Sequence, residues 1–123
     1  MVAKRVLLVD DNRYIRQTLP YVLKEEGYEV EVATNGEEAF KIACRDPVDL
    51  VLTDISMPEV DGIELIRLIR QDPFLRTLPV IAMTAFGTQR CADARDAGAT
   101  VCLEKPLRHA ELVSLLGRLT RAN

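Results

Sequence analysis

Tryptophan is absent from this chain, histidine occurs once, and only three tyrosines and three phenylalanines supply aromatic character. No apolar run approaches the ~20 residues that cross a bilayer, and MVAKR leads into a strand pattern, unlike the apolar core of a signal peptide. A cytoplasmic protein with no membrane contact is expected. A surplus of positive charge is also lacking: 16 Lys and Arg stand against 19 Asp and Glu, a net charge of −3. With the two signs interspersed, there is no basic face for nucleic-acid phosphates, so direct nucleic-acid binding is not expected. Cysteine is scarce and odd in number; Cys44, Cys91 and Cys102 have neither metal-ligand spacing nor a companion histidine cluster. They read as reduced, structural thiols. Low-complexity tracts, internal repeats and Gly/Ser/Pro linkers are missing too, and 123 residues is an ordinary single-domain length, so residues 1–123 are expected to form one domain.

What is present is a βα alternation. The apolar runs VLLV (6–9), LVLT (50–53), VIAMT (80–84) and VCL (101–103) suit the interior of a parallel sheet covered on both faces, and the alternating EVEVA (29–33) suits an edge. Between them, Ile15, Leu19, Val22 and Leu23 share a helical face, as do Leu65, Ile66 and Ile69, and Leu112, Leu115, Leu116 and Leu119. Thr34, Asn35, Glu37 and Glu38 resemble a capping box, while Gly27 and Gly98 stand where two helices should stop. The expected class is α/β, a doubly wound sandwich around a parallel sheet. Pro20 falls inside the first helical pattern, where it should kink the helix. The polar, Ala-rich stretch 88–97 buries little and should be among the less stable elements, the kind from which a switch is drawn.

The chemically capable residues follow the strands: Asp10 and Asp11 the first, Asp54 the third, Thr84 at the end of the fourth, Glu104 and Lys105 closing the fifth. In open α/β sheets, ligands bind outside the carboxyl ends of the strands, so these residues should converge. Three converging carboxylates repel unless a cation joins them, and oxygen ligands with open water positions suit Mg²⁺. A carboxylate beside that metal can act as a nucleophile toward phosphorus, with Lys105 as a second cation and the Thr84 hydroxyl as a donor to a phosphoryl oxygen. Each residue alone has a plainer reading: an Asp at a strand end is usually a turn or cap residue, and Asp11 or Asn12 could cap the first helix. Together, DD, D, T and KP after four successive strands make a far rarer coincidence.

The stretches VLLVDDN (6–12), LVLTDISMPEVDG (50–62), VIAMTA (80–85) and LEKPL (103–107) resemble, in that order, the receiver domain of two-component response regulators over nearly the whole chain. The resemblance implies that Asp54 is the phosphoacceptor, that Asp10, Asp11, Asp54 and the backbone carbonyl of Ser56 hold Mg²⁺, and that Thr84 and Lys105 serve the phosphoryl group. It implies a flavodoxin-like strand order of 2-1-3-4-5 with five helices and a cis Lys105–Pro106 bond. In the family an aromatic three positions before the lysine follows the threonine inward and reshapes the face of the fourth helix, fifth strand and fifth helix. Cys102 occupies that position here, a departure from the pattern. Phe86 and Ser56 fall where the family's hydrolytic water passes, and a bulky Phe86 should slow autodephosphorylation.

These readings give a signalling switch that accepts phosphoryl from a histidine kinase or histidine phosphotransfer protein and acts on a downstream protein target or output domain. Its only chemistry would be on itself, so it is not classed as an enzyme; it would be a monomer or a phosphorylation-dependent dimer. The sequence fits an aspartyl-phosphate phosphatase less well, because Ser56 stands where a second Asp is needed and no cap domain is available. A flavodoxin-like ligand-binding module would want hydrogen-bond donors where DDNRY is acidic. Met57–Pro58 and Asp61–Gly62 should shape the loop after Asp54 and start the third helix, His109 should face solvent, and Arg90 and Arg95 should face a partner or water.

Overall fold

Among the described residues of the computed structural model, which are 3–57, 60–85 and 87–121 with only the backbone of Thr88, strands and helices alternate throughout. The strands are β1 (Arg5–Val9), β2 (Glu29–Ala33), β3 (Leu50–Asp54), β4 (Val80–Thr84) and β5 (Val101–Glu104). The helices are α1 (Arg13–Glu25), α2 (Gly36–Arg45), α3 (Gly62–Gln71), α4 (Thr88–Ala97) and α5 (His109–Thr120). All neighbouring strands pair in parallel in the order β2-β1-β3-β4-β5. The order reverses beside β1, so β1 and β3 open their carboxyl ends onto a shared crevice.

Period-two alternation in the strands builds two cores. Leu7, Val9, Val51, Val80 and Ala82 pack with Ala39, Ile42, Leu65, Ile66, Ile69 and Ala94 from α2, α3 and α4. Val6, Leu8, Leu50, Leu52, Ile81 and Met83 pack on the other face with Leu19 and Leu23 of α1 and Leu112, Leu115 and Leu116 of α5. The central strands are buried on both faces, as their unbroken apolar runs require, and the alternating EVEVA lies at an edge.

Local chemistry sets the helix ends. The Asn12 side chain accepts hydrogen bonds from the amides of Tyr14 and Ile15, capping α1. At α2, Asn35 caps Glu38 and the Glu38 carboxylate accepts from the Thr34 amide at 2.6 Å, close to the expected reciprocal box. Gly27 and Gly98 adopt positive φ of 94° and 120° just past α1 and α4. The helix α1 runs through Pro20, which is buried beside Leu19. The proline removes only the donor that the Arg16 carbonyl would have had, and does not end the helix. The Lys105–Pro106 bond is cis.

One expectation is corrected. Cys91 and Cys102 are joined in a disulfide with their Cα atoms 5.4 Å apart, and Cys44 is the free, exposed thiol. The pairing is a product of tertiary packing: Cys102 lies on edge strand β5, on the side facing α4, and Cys91 lies on α4. Their spacing along the chain carries no disulfide signature. Phe86 lies outside the described residues, as does Pro58.

Candidate functional site

The ladder between β1 and β2 extends one residue beyond β1, where the Asp10 amide donates to the Ala33 carbonyl at 3.2 Å. This fixes Asp10, fully buried, at the strand's carboxyl end. On β3, Asp54 pairs with Met83 of β4. Beyond it, the Ile55 amide donates to the Met83 carbonyl at 2.9 Å, anchoring the chain just past the carboxylate. Thr84 ends β4, is 1% exposed and pairs with Glu104. Its carbonyl accepts from the Lys105 amide at 2.7 Å, which holds the lysine's backbone against β4.

Four of the sequence-predicted residues therefore meet. One oxygen from each of Asp10, Asp11 and Asp54 falls within a cluster no wider than 4.8 Å, and this is the only such acidic, cysteine or histidine group among the described residues. The Lys105 Nζ lies 3.0 Å from Asp10 Oδ2 and 3.5 Å from Asp54 Oδ1. Of the two candidate caps for α1, Asp11 and Asn12, the structure uses Asn12, which leaves Asp11 without that role. Asp10 Oδ1 accepts from the Asn12 amide at 2.9 Å, and Arg16 Nη1 donates to the Asp10 carbonyl at 3.0 Å. The Arg16 charge is thus spent on backbone, leaving Lys105 as the one ammonium in contact with the acidic cluster among the described residues.

The electrostatic consequence appears at Asp54. Burial, then the neighbouring Asp10, push its carboxyl up from 3.8 to about 6, with a smaller contribution from Asp11; Lys105 pulls the other way and does not win. A buried group of hard oxygens short of positive charge fits a small divalent cation of the Mg²⁺ kind, and the exposed Asp11 leaves the cluster open to solvent for water ligands.

Gly62, expected from sequence to shape the loop after Asp54 and start the third helix, does begin α3 and is also part of this site's construction. A Cβ there would collide with the Asp54 carbonyl and the Ile55 Cα, and the Gly62 amide donates to the Ile55 carbonyl at 2.9 Å. The side chain of Asp61 caps α3 by accepting from the Glu64 amide. Together these bonds brace the turn after Asp54. A Gly following a capping Asp was the one local signal available. Ser56 lies half-buried on the loop just beyond Asp54, His109 is exposed at the start of α5, and Glu104 is exposed. Arg95 is exposed and Arg90 half-buried.

The family model described as response regulator receiver domain matches residues 6–117. The response regulator MprA of Mycobacterium leprae is 38% identical over 95% of this chain, and the transcriptional regulatory protein PdtaR of Mycobacterium tuberculosis is 40% identical over 91%. The chain spans about half the length of each, 51% and 54%. It covers 86% of an uncharacterized 14.6 kDa protein of Leptolyngbya boryana, at 38% identity. Among solved structures, the receiver domain of a sensor histidine kinase from Pseudomonas aeruginosa is 32% identical with a TM-score of 0.91, covering 98% of this chain and 100% of that one, and carries a magnesium ion in its active site cleft. The chemotaxis protein CheY4 of Vibrio cholerae is 31% identical with a TM-score of 0.89, covering 96% of this chain and 99% of that one. A match along residues 6–117, joined to the strand order and the acidic crevice, makes this chain a member of the response regulator receiver domain family.

Proposed function

We propose that this chain is a Mg²⁺-dependent phosphorylation switch whose acceptor is Asp54, loaded by a histidine kinase or histidine phosphotransfer protein. The observation that carries the reading is the convergence of Asp10, Asp11 and Asp54 with Lys105 at the strands' carboxyl ends. Asp10, Asp11 and Asp54, with the Ser56 carbonyl, would hold the metal. When bound, it would neutralise the acidic cluster and the oxygens of an incoming phosphoryl group.

In the transfer step, one Asp54 oxygen attacks phosphorus, a P–O bond forms, and the P–N bond to the donor imidazole breaks with its electron pair passing to that nitrogen, so that neutral imidazole leaves with its proton on the other ring nitrogen. Asp54 must be ionised to do this, and Lys105, already 3.5 Å from it, favours that form. Lys105 then swings its charge toward the new phosphoryl oxygens, and the Thr84 hydroxyl donates to one of them. Thr84 ends β4 and the Lys105 backbone is bonded to it, so only side chains need turn when charge arrives. The chain performs this chemistry only on itself, and output passes through the face of α4, β5 and α5 to a protein partner or an attached domain.

The donor's histidine must reach Asp54 from solvent. Beside Lys105 lies an apolar groove lined by Tyr14, Ile15, Leu19, Val22 and Leu107, with Tyr14 exposed. A helical phosphotransfer partner with an apolar face suits this groove. The test is intact-mass spectrometry after incubation with acetyl phosphate, with and without Mg²⁺, on the wild type and Asp54→Asn. A single phosphoryl adduct that needs both Mg²⁺ and Asp54 is expected; an adduct of equal yield in Asp54→Asn would reject the assignment.

A further inference from the structure

The disulfide lies where the proposed signal must leave the site. Thr84 and Ala85 lead into α4, and Cys102 pairs with Ala82 on β4, so the bond ties the helix that follows the site to the strand beside it. Apart from the Arg70 bond to the Gly98 carbonyl at its C-terminal end, this helix has little else to hold it. Its described buried side chains are Cys91 and Ala94, its N-cap Gly87 makes no side-chain cap, and most of its remaining surface is polar. The bond is also reachable. Cys91 and Cys102 line a solvent-open groove with Arg95, Glu104, Arg108 and Glu111, and Cys102 is half-buried where Cys91 is 5% exposed.

We propose that Cys91 and Cys102 are a thiol–disulfide exchange site whose redox state decides whether α4 can respond to phosphorylation at Asp54. The inference rests on the switch reading above. With the bond closed, α4 cannot shift along β5 without carrying the strand with it. With the bond open, Ala94 and the Cys91 thiol are the buried side chains of α4 that remain among the described residues, with Ala97 packed at the edge of the core. The co-reactant is a dithiol, either a small molecule or a thioredoxin-like protein. One of its thiolates attacks the more accessible Cys102 Sγ, the Sγ–Sγ bond breaks, and Cys91 leaves as a thiolate that takes a proton. The second thiol of the dithiol then attacks its own sulfur in the mixed disulfide, releasing Cys102. Two electrons and two protons pass to the protein, and the dithiol becomes a disulfide. Arg95 and Arg108 line the same groove and would favour the thiolates formed on the way, while Glu104 and Glu111 beside them offset part of that charge.

The test uses the whole chain purified in air without thiol reagents, compared with the same protein after dithiothreitol and with Cys91→Ala. Alkylation under denaturing conditions should label Cys44 alone before reduction and three cysteines after it; three labels before reduction would overturn the proposal. Amide exchange of residues 88–97 is then followed on adding Mg²⁺ with beryllofluoride, while parallel samples given acetyl phosphate are weighed for the phosphoryl adduct. The expected result is an adduct in all three proteins, with exchange in α4 changing by about tenfold in the reduced protein and in Cys91→Ala but by less than about twofold in the oxidised protein. An adduct in all three with the same α4 response would overturn the redox gate and leave the switch standing. Absence of an adduct in every sample would overturn the switch itself, and the gate with it.

Discussion

Asp54 is the residue at which this fold works against itself. Its carboxyl stands at about 6 because burial and Asp10 disfavour the charged form more than Lys105 favours it. The folded state therefore holds a proton that the unfolded chain has released. The stability this contributes is fully present below 3.8, the ordinary value, and is lost as pH rises through about 6. At 1.36 kcal/mol per pH unit, it amounts to at most about 3 kcal/mol in metal-free protein. Urea midpoints in EDTA should accordingly fall more steeply between pH 4 and 7 for the wild type than for Asp54→Asn, which has no proton to lose; parallel curves would refute the assignment. Gly62 presents the opposite case, a residue with no charge that the site cannot do without. Gly62→Ala pushes a methyl into the Asp54 carbonyl, so the turn must shift and Asp54 with it. A loss of about 2–4 kcal/mol in stability is expected. The phosphoryl adduct should also slow in protein that remains folded, and an adduct rate equal to the wild type's would show that the turn yields without moving Asp54.

At the scale of elements, the helices differ sharply in how they are held. α3 buries Ile63, Leu65, Ile66 and Ile69, whereas α4 relies on few apolar contacts, a crosslink and Arg70. From α3, Arg70 donates through Nε to the Gly98 carbonyl at 2.8 Å and through Nη1 to the Arg76 and Leu78 carbonyls at 3.0 and 2.6 Å. One guanidinium thus satisfies the C-terminal end of α4 and the loop entering β4. Arg70→Ala removes these three bonds and the longer one from Nη2 to Thr100 Oγ1 at 3.4 Å, and should cost about 2–3 kcal/mol. Faster amide exchange at Gly98 and Leu78 should accompany the loss, with the acidic crevice unaffected; an unchanged urea midpoint would mean that water replaces the guanidinium fully. The strands and most helix bounds were legible beforehand because they depend on local pattern: apolar runs for β1, β3 and β4, alternation for edge strand β2, and a polar stretch for α4. Neither the clamp of Arg70 nor the Cys91–Cys102 bond was legible, since both join segments whose proximity only the packed helices create.

For the molecule as a whole, parallel winding explains why the site could be read at all. When every strand runs the same way, whatever follows a strand lands at one end, so Asp10, Asp54, Thr84 and Lys105 converge from topology alone. What topology does not convey is balance: the crevice gathers three carboxylates around one contacting ammonium, and the apolar packing on both sheet faces must carry that repulsion. A cation that binds only the folded state relieves it, adding stability that grows with the logarithm of its concentration. The gain is about 2.7 kcal/mol at a hundredfold excess over the dissociation constant. For a domain of this size that raises the melting temperature by roughly 8–15 °C. Titrating Mg²⁺ into the metal-free protein at pH 7.5 should give this rise, and it should fade as pH drops through about 6 because the ion must displace the Asp54 proton. In Asp54→Asn the metal-free protein should start more stable and gain much less. A Mg²⁺-induced rise of the same size in that variant would place the ion elsewhere on the surface, and the acidic crevice would lose its claim to it.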